Sequence, residues 1–217
     1  MITDIELAVL CKHGYKDRKN HSEGTIVTDA VNVKYTRAIY YSPVREVEVV
    51  GYYLNDNDLV LTVRGTEATS NSRRWYTNWF DFVRDLRVLP WRTMWGWGHA
   101  GFYKGAMYWL REHKGRIPKD VNLYIVGHSM GAQIGAWMSF YLNNKVKRVV
   151  LFAEPKGFFR SSARMFTEMG LHEKTTTYIT KDDWIRNVPP WGKRSTETTH
   201  AGDGSHDIDD YIKALSK

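Results

Sequence analysis

The stretch that decides the fold runs Val121-Asn-Leu-Tyr-Ile-Val-Gly127-His128-Ser129-Met130-Gly131 and continues through Ala132 to Leu142. Residues 121–126 read as a short apolar strand, and 131–142 as a helix. Between them stands G-x-S-x-G, the pattern of a serine set on a sharp strand-to-helix turn. Glycines on both sides let strand and helix approach closely, and the turn strains the serine backbone so that Oγ projects from the sheet end. At the start of a helix, the Met130 amide points to where an oxyanion would form beside Ser129. The pentapeptide alone is weak; the strand before it and the helix after it identify Ser129 as a nucleophile rather than a tight turn.

A serine hydroxyl needs a base, and the base needs an orienting carboxylate. On a sheet of this type the acid and then the histidine follow the serine in the chain. Three of the eight histidines do so: His172, His200 and His206. His172 precedes the acid candidates. His206, in Gly202-Asp-Gly-Ser-His206 before a terminal helix at 208–215, is the preferred base, and His200 is second. Asp182 and Asp183 both follow the β-branched strand at 175–180, where functional groups of parallel sheets collect, and spacing does not separate them. Asp203, Asp207, Asp209 and Asp210 suit a solvated loop and an acidic helix start. His128 reads as a structural hydrogen-bonding residue, not a second base.

Around this centre, strands are expected at 37–41, 46–54, 59–63 and 148–152, and a helix at 105–114. Ile2, Ile5, Val9 and Leu10 suit one face of a short N-terminal helix. Alternation of strands and helices in the second half predicts an α/β protein with a largely parallel sheet covered on both faces. The chain of 217 residues is 42% hydrophobic and 25% charged, with no repeat or linker, so residues 1–217 are read as one domain. A lone cysteine, Cys11, excludes an intrachain disulfide. The N-terminus, with Asp4 and Glu6, does not read as a secretory signal, and no membrane span is expected. A cytoplasmic or non-classically released protein, of bacterial or phage origin, fits these features.

The sequence also resembles the class 3 lipases, the family of fungal triacylglycerol lipases with the α/β-hydrolase fold. The resemblance rests on the elbow and on several blocks in the right order over residues 35–216. Arg64-Gly65-Thr66 is similar to the turn ending the family's oxyanion strand. Asn78-Trp79 with Asp81 and Asp85 is similar to a segment after the lid, and His99-Ala-Gly-Phe102 to the entry of a long helix. Asp183-Trp-Ile-Arg-Asn-Val-Pro189-Pro190 is similar to the acid block, and His206 with Tyr211 to a closing His-x4-Tyr. The resemblance implies Asp183 as the acid and Thr66 as the second oxyanion donor beside Met130. It implies an acyl-enzyme route with no cofactor and no metal, and a short lid. The chain departs from the pattern in its short length, its lack of disulfides and signal, and Arg186 where a proline is common.

The expected function is therefore hydrolysis of acyl esters, of lipid or acylglycerol type, by Ser129, Asp183 and His206. Phospholipase A1 action, small-ester or polysaccharide esterase action, and a non-catalytic binding scaffold are the alternatives. Glu67 to Trp75 is polar, as a surface lid must be. Five of the nine tryptophans, Trp75, Trp79, Trp91, Trp95 and Trp97, fall within 23 residues. Trp75, Trp91, Trp95 and Trp97 are candidates for substrate or lid contact at a membrane or micelle surface, or for filling a satellite core beneath a long loop, as Trp79 and Phe82 do at helical spacing. The net charge of +7 raises nucleic-acid binding, but no recognition motif supports that partner. The excess is spread along the chain, densest at Lys16-Asp-Arg-Lys19.

Overall fold

In the computed structural model, residues 2–44, 47–64 and 90–217 are described, apart from the Arg186 side chain. Strand β1 (Gly24–Val27) and β2 (Asn32–Tyr35) make an antiparallel hairpin. They are followed by β3 (Arg37–Val44), β4 (Val47–Tyr53) and β5 (Asp58–Val63). A second hairpin, β6 (Pro90–Thr93) and β7 (Gly96–His99), leads into helix α2 (Ala100–His113). Then come β8 (Asn122–His128), helix α3 (Met130–Leu142) and β9 (Val146–Phe152). Helix α4 (Arg160–Glu168), β10 (Thr175–Thr180), β11 (Thr198–Gly202) and helix α5 (Ile208–Leu215) complete the order after the N-terminal α1 (Asp4–Gly14).

Seven strands form the central sheet in the order β11-β10-β9-β8-β5-β4-β3. From β5 to β11 the pairing is parallel, and β3 and β4 add antiparallel at the far edge. Strand β5 is apolar on both faces because both are covered: Leu59, Val60, Leu61 and Val63 are all fully buried. The two faces can be told apart at the helix contacts. The Gly14 backbone of α1 lies against the Thr62 side chain, whereas Gly135 of α3 lies against Val63, Ile125 and Leu151. Thr62 and Val63 are neighbours on a strand and point to opposite faces, so α1 and α3 cover opposite sides.

Helix α3 is apolar nearly all round, with every residue from Met130 to Phe140 buried. The sheet covers one side of it, and α2 with the β6–β7 hairpin covers the other: Trp137 lies where a Gly98 side chain would be and meets Phe158 at 4.5 Å. Helix α1 is closed by a capping box, in which Thr3 Oγ1 accepts from the Glu6 amide and Glu6 Oε2 accepts from the Thr3 amide. Register aligns Val63, Gly127 and Leu151 across β5, β8 and β9. The segments that follow these strands, and the one after β10, therefore emerge at one edge of the sheet, the carboxyl edge where parallel sheets gather functional groups.

Candidate active site

Ser129 stands between β8 and α3 with φ 57° and ψ −128°, a left-handed conformation disfavoured for a side chain with a Cβ. Its amide donates to the Phe152 carbonyl at 2.9 Å, and its carbonyl accepts from Ala132 at 3.0 Å. The flanking glycines make the bend sterically available. A Cβ on Gly127 would lie 2.4 Å from the Gly131 carbonyl oxygen, and one on Gly131 would lie 2.2 Å from that of Val63. Serine at this position normally caps the helix with its hydroxyl. Here it makes no capping bond, and Oγ turns instead to His206 Nε2 at 2.9 Å.

His206 lies in the segment between β11 and α5, with 14% of its side chain exposed. Its Nδ1 faces Asp183 Oδ1 at 2.9 Å and Oδ2 at 3.1 Å. Asp183, after β10, is fully buried. It also accepts from the Tyr211 hydroxyl at 2.6 Å and from the Ile185 amide at 2.9 Å. Burial pushes its carboxyl up, but the bonds from His206, Tyr211 and the Ile185 amide outweigh that and hold it below its ordinary value. An ionised Asp183 requires the hydrogen on Nδ1 of His206, which leaves Nε2 as the basic nitrogen facing Ser129. Asp182, one residue earlier, is exposed, and so are His172 and His200.

His128 sets the other side of the base. Its Nε2 lies 2.8 Å from the His206 carbonyl, which can only accept, so Nε2 carries the hydrogen and Nδ1 accepts from the Tyr15 hydroxyl at 3.1 Å. Burial and then the nearby His206 lower its pKa to about 3, so it stays neutral and does not compete for the proton. The His206 ring lies between His128 at 4.9 Å and Trp184 at 5.2 Å. Arg64, ending the β5 segment, pairs with Glu48 and lies 5.5 Å over the Tyr15 ring.

Met130 is the first residue of α3, so its amide belongs to the positive end of that helix, adjacent to Ser129. Thr66 and Trp75 lie outside the described residues, as do Asn78, Trp79, Asp81, Phe82, Asp85 and the proposed lid from Glu67. The loop expected around Trp91, Trp95 and Trp97 is the β6–β7 hairpin. Trp95 stacks on Phe140 at 5.0 Å and is a packing residue, while Trp91 and Trp97 are 45% and 46% exposed.

One buried carboxylate was not singled out from the sequence. Glu154, two residues beyond β9, accepts from the Ser195 amide and hydroxyl and from Thr177 Oγ1, with the hydroxyl at 2.9 Å. Burial pushes it up to about 7 against the opposing effect of Ser195 and Arg194. The rule that drew attention to Asp182 and Asp183, an acid just past the carboxyl end of a parallel strand, applies equally to Glu154. Tyr15 lies 113 residues before its partner His128 and carries no local signal. Among the described residues no group of three His, Cys, Asp or Glu side chains is arranged to hold a metal.

Neither a protein-family model nor a curated protein matches this sequence. Solved structures do match the fold. The Lip2 lipase from Yarrowia lipolytica superposes with a TM-score of 0.62 at 16% identity, over 88% of this chain and 76% of that one. The triacylglyceride lipase of Rhizomucor miehei gives 0.63 at 11% identity, over 86% and 74%. The MDLA N225Q mutant from Penicillium cyclopium gives 0.58 at 17% identity, over 86% and 73%. With its mostly parallel sheet and helices on both faces, the chain has the α/β-hydrolase fold. Its architecture is lipase-like, at sequence identities too low to carry more than the fold.

Proposed function

We propose that the protein is a serine-dependent carboxylic-ester hydrolase acting on acyl esters of the lipid or acylglycerol type. The observation that carries this reading is the unbroken hydrogen-bonded chain from Asp183 through His206 to Ser129. His206 Nε2 takes the Ser129 proton as Oγ bonds to the ester carbon, and the carbonyl electrons move to oxygen. The Met130 amide stabilises that oxyanion, with Thr66 as the second donor. Collapse breaks the bond to the alkoxide, which leaves as the alcohol with the proton from His206. Water then repeats the sequence against the acyl-enzyme and releases the carboxylic acid. The likeness to structures named as lipases supports an acyl-lipid substrate over a small or carbohydrate-borne ester. A purely binding scaffold would not need the nucleophile, base and acid in hydrogen-bonding order.

The test is covalent labelling with a fluorophosphonate, comparing the wild type with Ser129→Ala. The wild type is expected to label and the alanine form not to. An unlabelled wild type, or equal labelling of both, removes the reading.

A further inference from the structure

Cationic side chains are spread along the chain, and the fold joins three segments that carry several of them. Three segments distant in sequence are joined by main-chain pairing. Trp91 of β6 pairs with Gly98 of β7, Gly98 bridges to Phe158, and Phe158 bridges to Lys193. Residues 90–111, 155–167 and 189–196 contain no Asp or Glu. These segments carry Arg92, Lys104, Lys156, Arg160 and Lys193. Lys104 Nζ sits 3.8 Å over the Trp91 ring. Lys156 lies close enough to Arg194 and Lys193 that, after partial burial, their repulsion lowers its affinity for a proton. Two other cations here are already engaged: Arg164 pairs with Glu168 at 2.7 Å, and Arg194 donates to the Glu154 carbonyl.

The same ladder carries most of the exposed large apolar side chains among the described residues. Met94, at the hairpin turn, is 76% exposed, Trp91 and Trp97 nearly half, and Trp191 54%. Solvent exposure of a methionine and three indoles on one hairpin and the segment bridged to it is costly without a partner. The ladder is fixed to the catalytic end of the sheet. The Gly157 amide donates to Gln133 Oε1, one turn beyond Ser129, and the Lys156 amide donates to the Val188 carbonyl, five residues beyond Asp183.

We infer that this face, the β6–β7 hairpin with residues 156–160 and 191–193, docks the protein onto a lipid surface bearing anionic head groups. Indole and thioether side chains enter the interface, and the lysines and arginines meet phosphate. This deepens the ester-hydrolase reading by naming where the substrate's surface is met, although the docking itself needs no catalytic group. No described helix is long and apolar enough to cross a membrane. A nucleic acid would satisfy the charge but not the exposed Met94 and indoles, which favours lipid.

The test uses Ser129→Ala protein, so binding is read without hydrolysis. Its co-sedimentation with phosphatidylcholine vesicles is compared with and without phosphatidylglycerol. Binding is expected with the anionic lipid, weakening at high salt. Met94→Asp, and separately Lys193→Glu with Lys104→Glu, should each lower partitioning roughly tenfold. Met94→Asp in the otherwise wild-type chain should keep its fluorophosphonate labelling, so that the loss is not misfolding. Equal binding to neutral vesicles, or a Met94→Asp protein that binds as before, overturns the inference. So does a DNA duplex that binds as tightly as the anionic vesicles. A protein that binds anionic vesicles but does not label would instead sink the hydrolase reading and leave the docking surface standing.

Discussion

Two buried carboxylates near the carboxyl edge of the sheet titrate in opposite senses, because their partners differ. Asp183 receives three hydrogen bonds that favour its anion, and His206 and Tyr211 outweigh the cost of burial. Its ionisation therefore stabilises the fold above the ordinary carboxylate range, and that contribution is lost as pH falls through its lowered value. Glu154 is held by Ser195 and Thr177, but burial dominates and raises it to about 7. The folded state then binds a proton that the unfolded chain has released. Stability from this group is full below the unfolded value near 4.5 and is lost as pH rises through about 7. Across that window the wild type should lose about 3 kcal/mol more than Glu154→Gln, at roughly 1.4 kcal/mol per pH unit. Urea titrations of both proteins at several pH values measure this, and parallel profiles would refute it.

At the scale of elements, the elbow is a contact between α3 and two strands. Gly131 is pressed against the Val63 carbonyl and the Arg64 backbone, which have no flexible end to move aside. Gly131→Ala should therefore push α3 away from β5 and cost about 3 kcal/mol, the upper range for overpacking. Labelling of Ser129 should fall even in the fraction that remains folded. Gly115→Ala is the control, since nothing lies within 4 Å of its added methyl. Its urea midpoint should stay within the equivalent of about 0.5 kcal/mol of the wild type. Strands β3, β4, β5, β8, β9 and β10 and helices α1, α2, α3 and α5 were legible in the sequence, because apolar periodicity and a clear strand-turn-helix context marked them. Helix α4 was not: Ser162 and Phe166 are its only buried residues. Strand β11 reads Thr-Thr-His-Ala-Gly, and its conformation comes from pairing with β10 rather than from its own pattern. The four-residue strands of β6 and β7 are likewise set by each other and by the bridge to Phe158.

For the whole molecule, one hydrophobic cluster runs from Leu7 of α1 through the sheet to Ile212 of α5. The two ends of the chain meet: Lys12 of α1 pairs with Asp209 of α5, and Asp4 pairs with Arg148 and accepts from Tyr178. Residues 1–217 are accordingly proposed to unfold as one cooperative unit. Calorimetry should give a single transition whose calorimetric and van't Hoff enthalpies agree. Two resolved transitions would mean that the chain is divided.

The sequence by itself determined the elbow at Ser129, the α/β order and the later position of the acid and base. These are local patterns, in which a residue's neighbours along the chain set its conformation. Only the tertiary structure separated buried Asp183 from exposed Asp182 at the level of contacts, and only it supplied Tyr15 and showed that His128, read from the sequence as structural, bonds the His206 carbonyl. It also joined three segments without acidic residues, far apart in sequence, through the β6–β7 hairpin and Phe158. The reason is physical. A parallel sheet lines up the ends of strands that lie tens of residues apart, and burial and charge proximity at that edge depend on which segments meet there.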